Sequence, residues 1–146
     1  MTTARDIMTK DPQIVGTDAS VQDIARQLAD QDIGAVMVCN SEKRLQGVVT
    51  DRDLAVEVVA RGQDPSSTTA GDLVSGREVV TIGADDDIDE AIDTMRSHAV
   101  RRLPVIDGDK VVGVISQADI ARSADEKQVG RLIEAISQAP DNTGRG

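Results

Sequence analysis

The chain of 146 residues contains no phenylalanine, tyrosine or tryptophan, and Cys39 is its single cysteine. With 39% hydrophobic residues, the core must therefore be built from aliphatic side chains and methionine. A lone cysteine cannot form an internal disulfide, which fits a reducing compartment. No apolar run approaches the about 20 residues of a transmembrane helix, and the first residues lack the basic and apolar regions of a signal peptide. We therefore expect a cytoplasmic protein that does not associate with membranes.

Positive charge is also scarce: 16 lysines and arginines face 26 acidic residues, which gives a net charge of −10. Such a charge opposes non-specific binding to nucleic acid, whose affinity depends on neutralising phosphates. We therefore expect no nucleic-acid partner. A small nucleotide held by a few local cations is compatible with this charge.

A tandem repeat is the strongest pattern that is present. The segment GVVTDRDLA, which begins at Gly47, recurs as GVISQADIA from Gly113, 66 positions later. Upstream, VMVCN from Val36 aligns with LPVID from Leu103. This offset is one residue longer than that of the glycine motifs, and the difference falls between Asn40 and Gly47, where a turn can absorb it. The chain is therefore a duplication, in which two copies pack together to bury their apolar surfaces.

Each repeat alternates between helical and strand periodicity, so the fold class is α/β (α+β), with two β-α-β-β-α repeats. Ser20 and Asp87 are suitable N-caps for the two main helices. The apolar stripes of these helices are Val21, Ile24, Ala25 and Leu28, then Ile88, Ala91, Ile92 and Met95. Strands are predicted at 13–15, 36–39, 45–49, 79–82, 103–106 and 111–115, and second helices at 54–60 and 120–122.

The domain organisation follows from this order of elements. We expect repeat 1 over residues 1–60, a linker over 61–69, which contains glycine, proline and serines, and repeat 2 over 70–123. A C-terminal helix is predicted over 124–138. Residues 139–146 are predicted to be a disordered tail.

These motifs, in this order and duplicated, resemble a pair of CBS domains, also called a Bateman module. The resemblance rests on DIMT from Asp6, LPVID from Leu103 and the two Gly-hydrophobic-hydrophobic-Thr/Ser-x-x-Asp motifs. MTTARDIM, DIGA from Asp32, TDRD from Thr50 and VRR from Val100 are further similar to stand-alone CBS proteins of the hypoxic response type. The resemblance implies two repeats stacked about a pseudo-twofold axis, a homodimer, and a regulatory role in a stress response.

The resemblance also implies an adenosine-containing ligand, such as AMP, ADP or ATP, in the clefts between the repeats. In such proteins the motif aspartate holds the ribose hydroxyls, the Thr or Ser approaches phosphate, and the first strand lines the base. Carried over by position, the first cleft uses Thr50, Asp53, Ile14 and Val15, and the second uses Ser116, Asp119, Thr81 and Ile82. Nearby cations that can neutralise phosphate are Arg52, Arg101 and Arg102.

Elementary chemistry supports two interpretations of these motifs. A carboxylate can accept two hydrogen bonds from a ribose diol, a helix N-terminus offers free N–H groups to an anion, and the glycine permits close approach of a ligand. Thr50 with Asp53, and Ser116 with Asp119, also have the spacing of a capping box, which would only begin a helix. The three arginines could equally pair with surface carboxylates.

The leading hypothesis is a regulatory module without catalytic activity, in which a bound nucleotide signals to an unknown partner protein. No cofactor is expected to be obligatory. The alternatives are a ligand-free dimeric interaction scaffold and a metal- or redox-linked protein acting through Cys39. The metal hypothesis is weak, because Cys39 and His98 cannot complete a four-ligand zinc site alone. Neither a nucleophile–histidine–acid set nor a phosphate-binding loop is present in the sequence.

Overall fold

The aliphatic runs of the sequence form two separate sheets in the computed structural model, which describes residues 1–123 and 125–138. In chain order the elements are α1 (Ala4–Ile7), β1 (Thr9–Lys10), β2 (Ile14–Gly16), α2 (Val21–Gln31), β3 (Ala35–Cys39), β4 (Leu45–Thr50), α3 (Asp51–Asp53), a π-helix (Leu54–Val59), α4 (Ala70–Val74), β5 (Ile82–Gly83), α5 (Ile88–His98), β6 (Arg102–Asp107), β7 (Lys110–Ser116), α6 (Gln117–Ser123) and α7 (Glu126–Gln138). The α/β fold class is thereby confirmed. The predicted tail at 139–146 lies outside the described residues.

The chain divides into two units whose bounds differ from those of the sequence repeats. The first unit comprises residues 13–79, and the second comprises 1–12 together with the described residues from Val80 onward. Each short helix that begins a repeat therefore belongs to the unit containing the sheet of the other repeat. The predicted domain bounds follow the repeats and stay a prediction.

The sheet of the first unit has the order β2-β3-β4. Strand β2 is parallel to β3, and β3 is antiparallel to β4. Its core contains Val36, Val38 and Val49 from the sheet, with Val21, Ile24 and Leu28 from α2. Ser20 caps α2 as predicted, because its side chain accepts a hydrogen bond from the Asp23 N–H. The predicted place of Ala25 in the apolar stripe is wrong, because this residue is exposed. The three larger side chains of α2 alone pack against the sheet.

The sheet of the second unit has the order β1-β7-β6-β5, so it contains one strand more. The additional strand, β1, comes from the N-terminal segment and pairs antiparallel with β7. All four predicted stripe residues of α5 are buried here, and Asp87 caps the helix by accepting from the Glu90 N–H. Helix α7 covers α5, with Leu132 in the core. The predicted strand at 79–82 is largely wrong, because only Ile82–Gly83 pair and Val79 is exposed.

One predicted helix has a different geometry. The sequence predicts a helix at 54–60, and the structure has a π-helix at Leu54–Val59 that continues directly from α3. The Ala60 N–H bonds to the Ala55 carbonyl, five residues back, at 2.9 Å. π-Helices are rare, and many lie at functional sites. Among the helices of the described residues, none is long and apolar enough to cross a membrane.

Candidate functional site

The motif of the first unit lies where β4 ends and α3 begins. Thr50 is the last residue of β4 and is level with Ala35, the first residue of β3. The Asp51 N–H donates to the Gly34 carbonyl oxygen at 3.1 Å, which ties the start of α3 to the turn before β3. The side chains of this motif are thereby fixed at one end of the sheet.

Thr50 and Asp53 form a reciprocal capping box. The Thr50 N–H donates to Oδ2 of Asp53 at 2.8 Å, and the Asp53 N–H donates to Oγ1 of Thr50 at 3.1 Å. Both residues are buried, and Asp53 is 0% exposed. The capping interpretation is therefore structurally correct. A capping box does not, however, explain why the carboxylate is removed from water.

Arg77, a residue that the sequence analysis missed, neutralises this buried carboxylate. Its Nη1 lies 3.2 Å from Oδ2 of Asp53, and its Nη2 lies 3.3 Å from Oδ1. Nη1 also approaches the Val48 carbonyl oxygen at 3.4 Å. The Arg77 side chain is 29% exposed, so the pair lies at the edge of the unit and can be reached by water from one side. Paired geometry of this kind is the strong form of an arginine–carboxylate contact.

The motif of the second unit has the same capping geometry. The Ser116 N–H donates to Oδ2 of Asp119 at 2.9 Å, and the Asp119 N–H donates to the Ser116 hydroxyl at 3.3 Å. Asp119 is 3% exposed. Both sequence repeats thus present a buried aspartate at the start of the helix that follows the hairpin.

The partners of the second carboxylate differ from those of the first. Arg122, one helical turn further along α6, pairs with Oδ1 of Asp119. The Thr9 hydroxyl of β1 lies within 3.2 Å of Oδ1 and 3.3 Å of Oδ2. Because the Arg122 side chain is 68% exposed, solvent screens this ion pair far more than the Arg77 pair.

The motif glycines have a packing role that the sequence analysis did not predict. A Cβ atom on Gly47 would lie 2.9 Å from a methyl group of Val74, on α4. A Cβ atom on Gly113 would lie 2.5 Å from the sulfur of Met8 and 2.9 Å from the Thr9 carbonyl oxygen. The missing side chains therefore admit the short segments that begin the repeats, and the approach of a ligand to these glycines stays a prediction.

The predicted anion site of free N–H groups at α3 is also wrong. The Asp51 N–H bonds to Gly34, the Arg52 N–H bonds to Oδ1 of Asp51 at 2.8 Å, and the Asp53 N–H is used by the capping box. An anion at this end of the sheet would have to be bound by side chains. Arg52 is the candidate: its Nε is buried and has no hydrogen-bond partner.

The predicted base-lining residues of the first unit lie on the opposite edge strand from the motif. Ile14 and Val15 are in β2, and Ile14 is level with Met37, two residues along β3 from the level of Thr50. Two strand spacings separate Ile14 from the motif laterally by about 10 Å. Ile14 is 49% exposed. These residues are available at the same end of the sheet, but they do not contact the carboxylate.

In the second unit the structure brings one predicted cation to the motif. Arg102 begins β6 and is directly opposite Ser116 on β7, and Arg101 precedes it; both are half-buried. Ile82 is level with Val105 on β6, about 10 Å along the strand from Arg102. Ile82 is itself part of the core, so Thr81 and Ile82 lie at a distance from Asp119.

The two candidate metal ligands lie in different units of the chain, Cys39 in the first and His98 in the second. Cys39 is buried in β3, and burial raises the pKa of the Cys39 thiol, which opposes the thiolate that zinc requires. His98 is exposed at the end of α5. Residues 1–123 and 125–138 contain no group of three or more histidine, cysteine, aspartate or glutamate side chains placed to hold a metal ion.

Comparison with known proteins decides the family. The model of the CBS domain family matches residues 4–60 and 70–126. The chain belongs to the CBS-domain family. The two matched segments coincide with the duplication seen in the sequence, so the predicted resemblance to a CBS pair is confirmed.

The narrower resemblance is confirmed as well. The chain is 38% identical over 136 residues to hypoxic response protein 1 of Mycobacterium tuberculosis, which covers 93% of this chain and 94% of the relative. A crystal structure of Hypoxic Response Protein I with two coordinated zinc ions matches with a TM-score of 0.77 and 40% identity, over 85% of this chain and 100% of that one.

Two further solved CBS proteins contain adenosine-based ligands. The CBS domain pair of protein MJ0100, in complex with 5-methylthioadenosine and S-adenosyl-L-methionine, matches with a TM-score of 0.73 and 25% identity, over 84% of this chain and 94% of that one. Protein PAE2072 of Pyrobaculum aerophilum, complexed with AMP, matches with a TM-score of 0.74 and 22% identity, over 90% and 98%. The second match supports the shared fold alone.

Proposed function

We propose that this CBS pair is a regulatory module, not an enzyme, which binds an adenosine-containing ligand at the acidic motifs and signals to a partner protein. The observation that carries the proposal is that each motif contains one aspartate whose carboxylate is almost wholly buried and forms an ion pair with an arginine. A ligand can change the conformation of such a module only if it binds two arrangements with different affinities.

The chain contains an internal comparison that separates capping from ligand binding. Thr3 with Asp6, and Thr69 with Asp72, form capping boxes at α1 and α4. Asp6 and Asp72 are exposed, so a capping box in this protein does not require burial. Burial of a charged carboxylate carries a desolvation penalty and needs a paired cation. The buried, paired state of Asp53 and Asp119 therefore supports a further role, namely holding the hydroxyls of a ribose.

Relatives and local chemistry support the same ligand class. The MJ0100 pair was solved with two ligands that both contain an adenosine group, which supports the ribose diol as the recognised feature. In the first unit, the unpartnered Nε of Arg52 is a buried donor that requires an acceptor. A phosphate oxygen is an acceptor of suitable charge.

A ligand-free interaction scaffold is the second candidate, and one observation favours it. Both carboxylates already have a full set of donors within the protein. If those contacts are permanent, the motifs are structural, and the function lies in dimerisation and docking of a partner.

The deciding experiment compares ultraviolet absorbance and thermal unfolding with added AMP, ADP, ATP or S-adenosylmethionine. Because the chain lacks tryptophan and tyrosine, co-purified adenine is directly visible. A ligand at 100 times its Kd stabilises by about 2.7 kcal/mol, which raises the Tm by roughly 5–10 °C. Asp53→Asn and Asp119→Asn should each remove one site in calorimetric titration. Asp72→Asn, in an exposed capping box, is the matched control and should leave affinity unchanged.

The outcomes separate the two candidates. Binding that depends on Asp53 or Asp119 establishes the ligand-binding module. Absence of co-purified adenine and of any Tm shift favours the scaffold. Binding that none of the aspartate substitutions weakens would refute the ribose assignment.

A further inference from the structure

We propose that Arg77 is a specificity-determining residue, which restricts the Asp53 site to adenosine ligands that carry a phosphate. The inference rests on the proposed function and deepens it. It begins with the observation that the backbone donates to only one of the two oxygens of the Asp53 carboxylate, whereas Arg77 contacts both.

Oδ2 of Asp53 is engaged by the backbone and Oδ1 is not. Oδ2 accepts from the Thr50 N–H at 2.8 Å as part of the capping box. The donor to Oδ1 is Nη2 of Arg77, at 3.3 Å. A ribose diol can therefore bind Oδ1 without disrupting the start of α3, provided that the Arg77 guanidinium moves away from the carboxylate.

The displaced guanidinium determines which ligands can bind. The guanidinium group of arginine is a strongly basic cation, the Arg77 side chain is only 29% exposed, and Nη1 has a further acceptor in the Val48 carbonyl oxygen at 3.4 Å. A neutral ligand such as adenosine would displace Arg77 from the carboxylate and leave its partly buried guanidinium without a counter-ion. The loss of that ion pair costs free energy of binding. A phosphorylated nucleoside brings a replacement anion, and arginine binds phosphate through paired N–H groups as it binds a carboxylate. The exchange of partners therefore favours the phosphorylated ligand.

The negative net charge of the protein adds to this need for a cation beside the phosphate. With a net charge of −10, the overall field repels phosphate. A local cation is needed for an anionic ligand to bind at all, and Arg77 is the one that the structure holds on the motif carboxylate. The same field would by itself favour the uncharged nucleoside.

AMP and adenosine are the matched probes, because they differ only in the phosphate. The Asp119→Asn protein leaves the Asp53 site as the reporter, and each probe is titrated calorimetrically. We expect AMP to bind at least about tenfold more tightly than adenosine, in line with a charge-assisted contact. Arg77→Met should weaken the binding of AMP, strengthen that of adenosine and lower the ratio of their affinities toward one, so that only a preference provided by Arg52 remains.

Two further variants control this test. Arg61→Met removes another positive charge from the same unit, where Arg61 pairs with Glu57 at 3.1 Å, and should leave the ratio unchanged. If Arg77→Met does not fold, Arg77→Gln provides a neutral side chain whose amide can still donate to Asp53, and it should lower the ratio in the same way.

The outcomes distinguish this inference from the proposed function. An AMP-to-adenosine ratio that survives loss of Arg77, or equal binding of both probes by the parent protein, overturns the inference alone. Binding by the unmodified protein with none after Asp119→Asn also overturns it, and the proposed function then stands on the second unit. Failure of the unmodified protein to bind either probe overturns the inference, and failure to bind ADP, ATP and S-adenosylmethionine as well overturns both.

Discussion

Loss of Arg77 should destabilise the protein much more than loss of Arg122, although both arginines pair with a motif aspartate. Asp53 is 0% exposed and Arg77 29% exposed, so Arg77→Met leaves a buried carboxylate without its cation. Breaking a buried pair costs roughly 3–5 kcal/mol. Because water reaches Arg77 from one side, we expect a smaller cost here, about 2–3 kcal/mol, at or below the lower end of that range. Arg122 is 68% exposed, and its removal should cost about 0–1 kcal/mol.

Urea unfolding followed by far-ultraviolet circular dichroism measures this difference, since a chain without tryptophan or tyrosine has no useful intrinsic fluorescence. The corresponding fall in Tm is roughly 4–10 °C for Arg77→Met and below about 4 °C for Arg122→Met. Adding Asp53→Asn to Arg77→Met removes both charges, and the double variant should recover most of the lost stability. The reasoning is refuted if the two single variants lose equal stability, or if the double variant is no more stable than Arg77→Met alone.

Two other predictions concern the first unit. Ser20→Ala removes the oxygen that accepts from the Asp23 N–H at 3.1 Å and should cost about 1 kcal/mol in the same urea titration; an unchanged midpoint would show that the cap contributes nothing. Cys39 should react with a thiol reagent only as the protein unfolds, because it is buried and burial raises the pKa of its thiol. Since the unfolded thiol ionises first, stability should fall as the pH rises above about 8.5, and Cys39→Ser should remove that contribution.

Local patterns predicted the elements whose apolar periodicity is long enough to be unambiguous. The helices α2 and α5, their caps at Ser20 and Asp87, and the hairpins of both repeats are confirmed. The short elements α1, β1 and α4 were not predicted, because two to five residues carry too little periodicity. The Thr-x-x-Asp spacing at Thr3 and Thr69 was the available signal for α1 and α4.

The motif residues were predictable, but their partners largely were not. Capping spacing and the duplication lead directly to Asp53 and Asp119. Arg122 lies three residues after Asp119 on a helix, a spacing that places two side chains side by side, so this pair could have been predicted. Arg77 lies 24 residues from Asp53, and Thr9 lies 110 residues from Asp119. Such contacts depend on which sheet each short segment joins.

Duplication explains the shared carboxylate and also why its cations differ. Counting back 66 positions, Arg77 corresponds to Asp11 and Arg122 to Val56, so neither arginine has a counterpart in the other repeat. Each motif has nevertheless acquired one arginine, from a loop in the first unit and from the helix itself in the second.

Helix capping and ligand binding would both use the same motif aspartate, and for this reason they look like alternatives. A carboxylate has two oxygens, however, and the cap uses only Oδ2. Whether a motif can also recognise a ligand therefore depends on what holds Oδ1, which is the feature that the two repeats do not share.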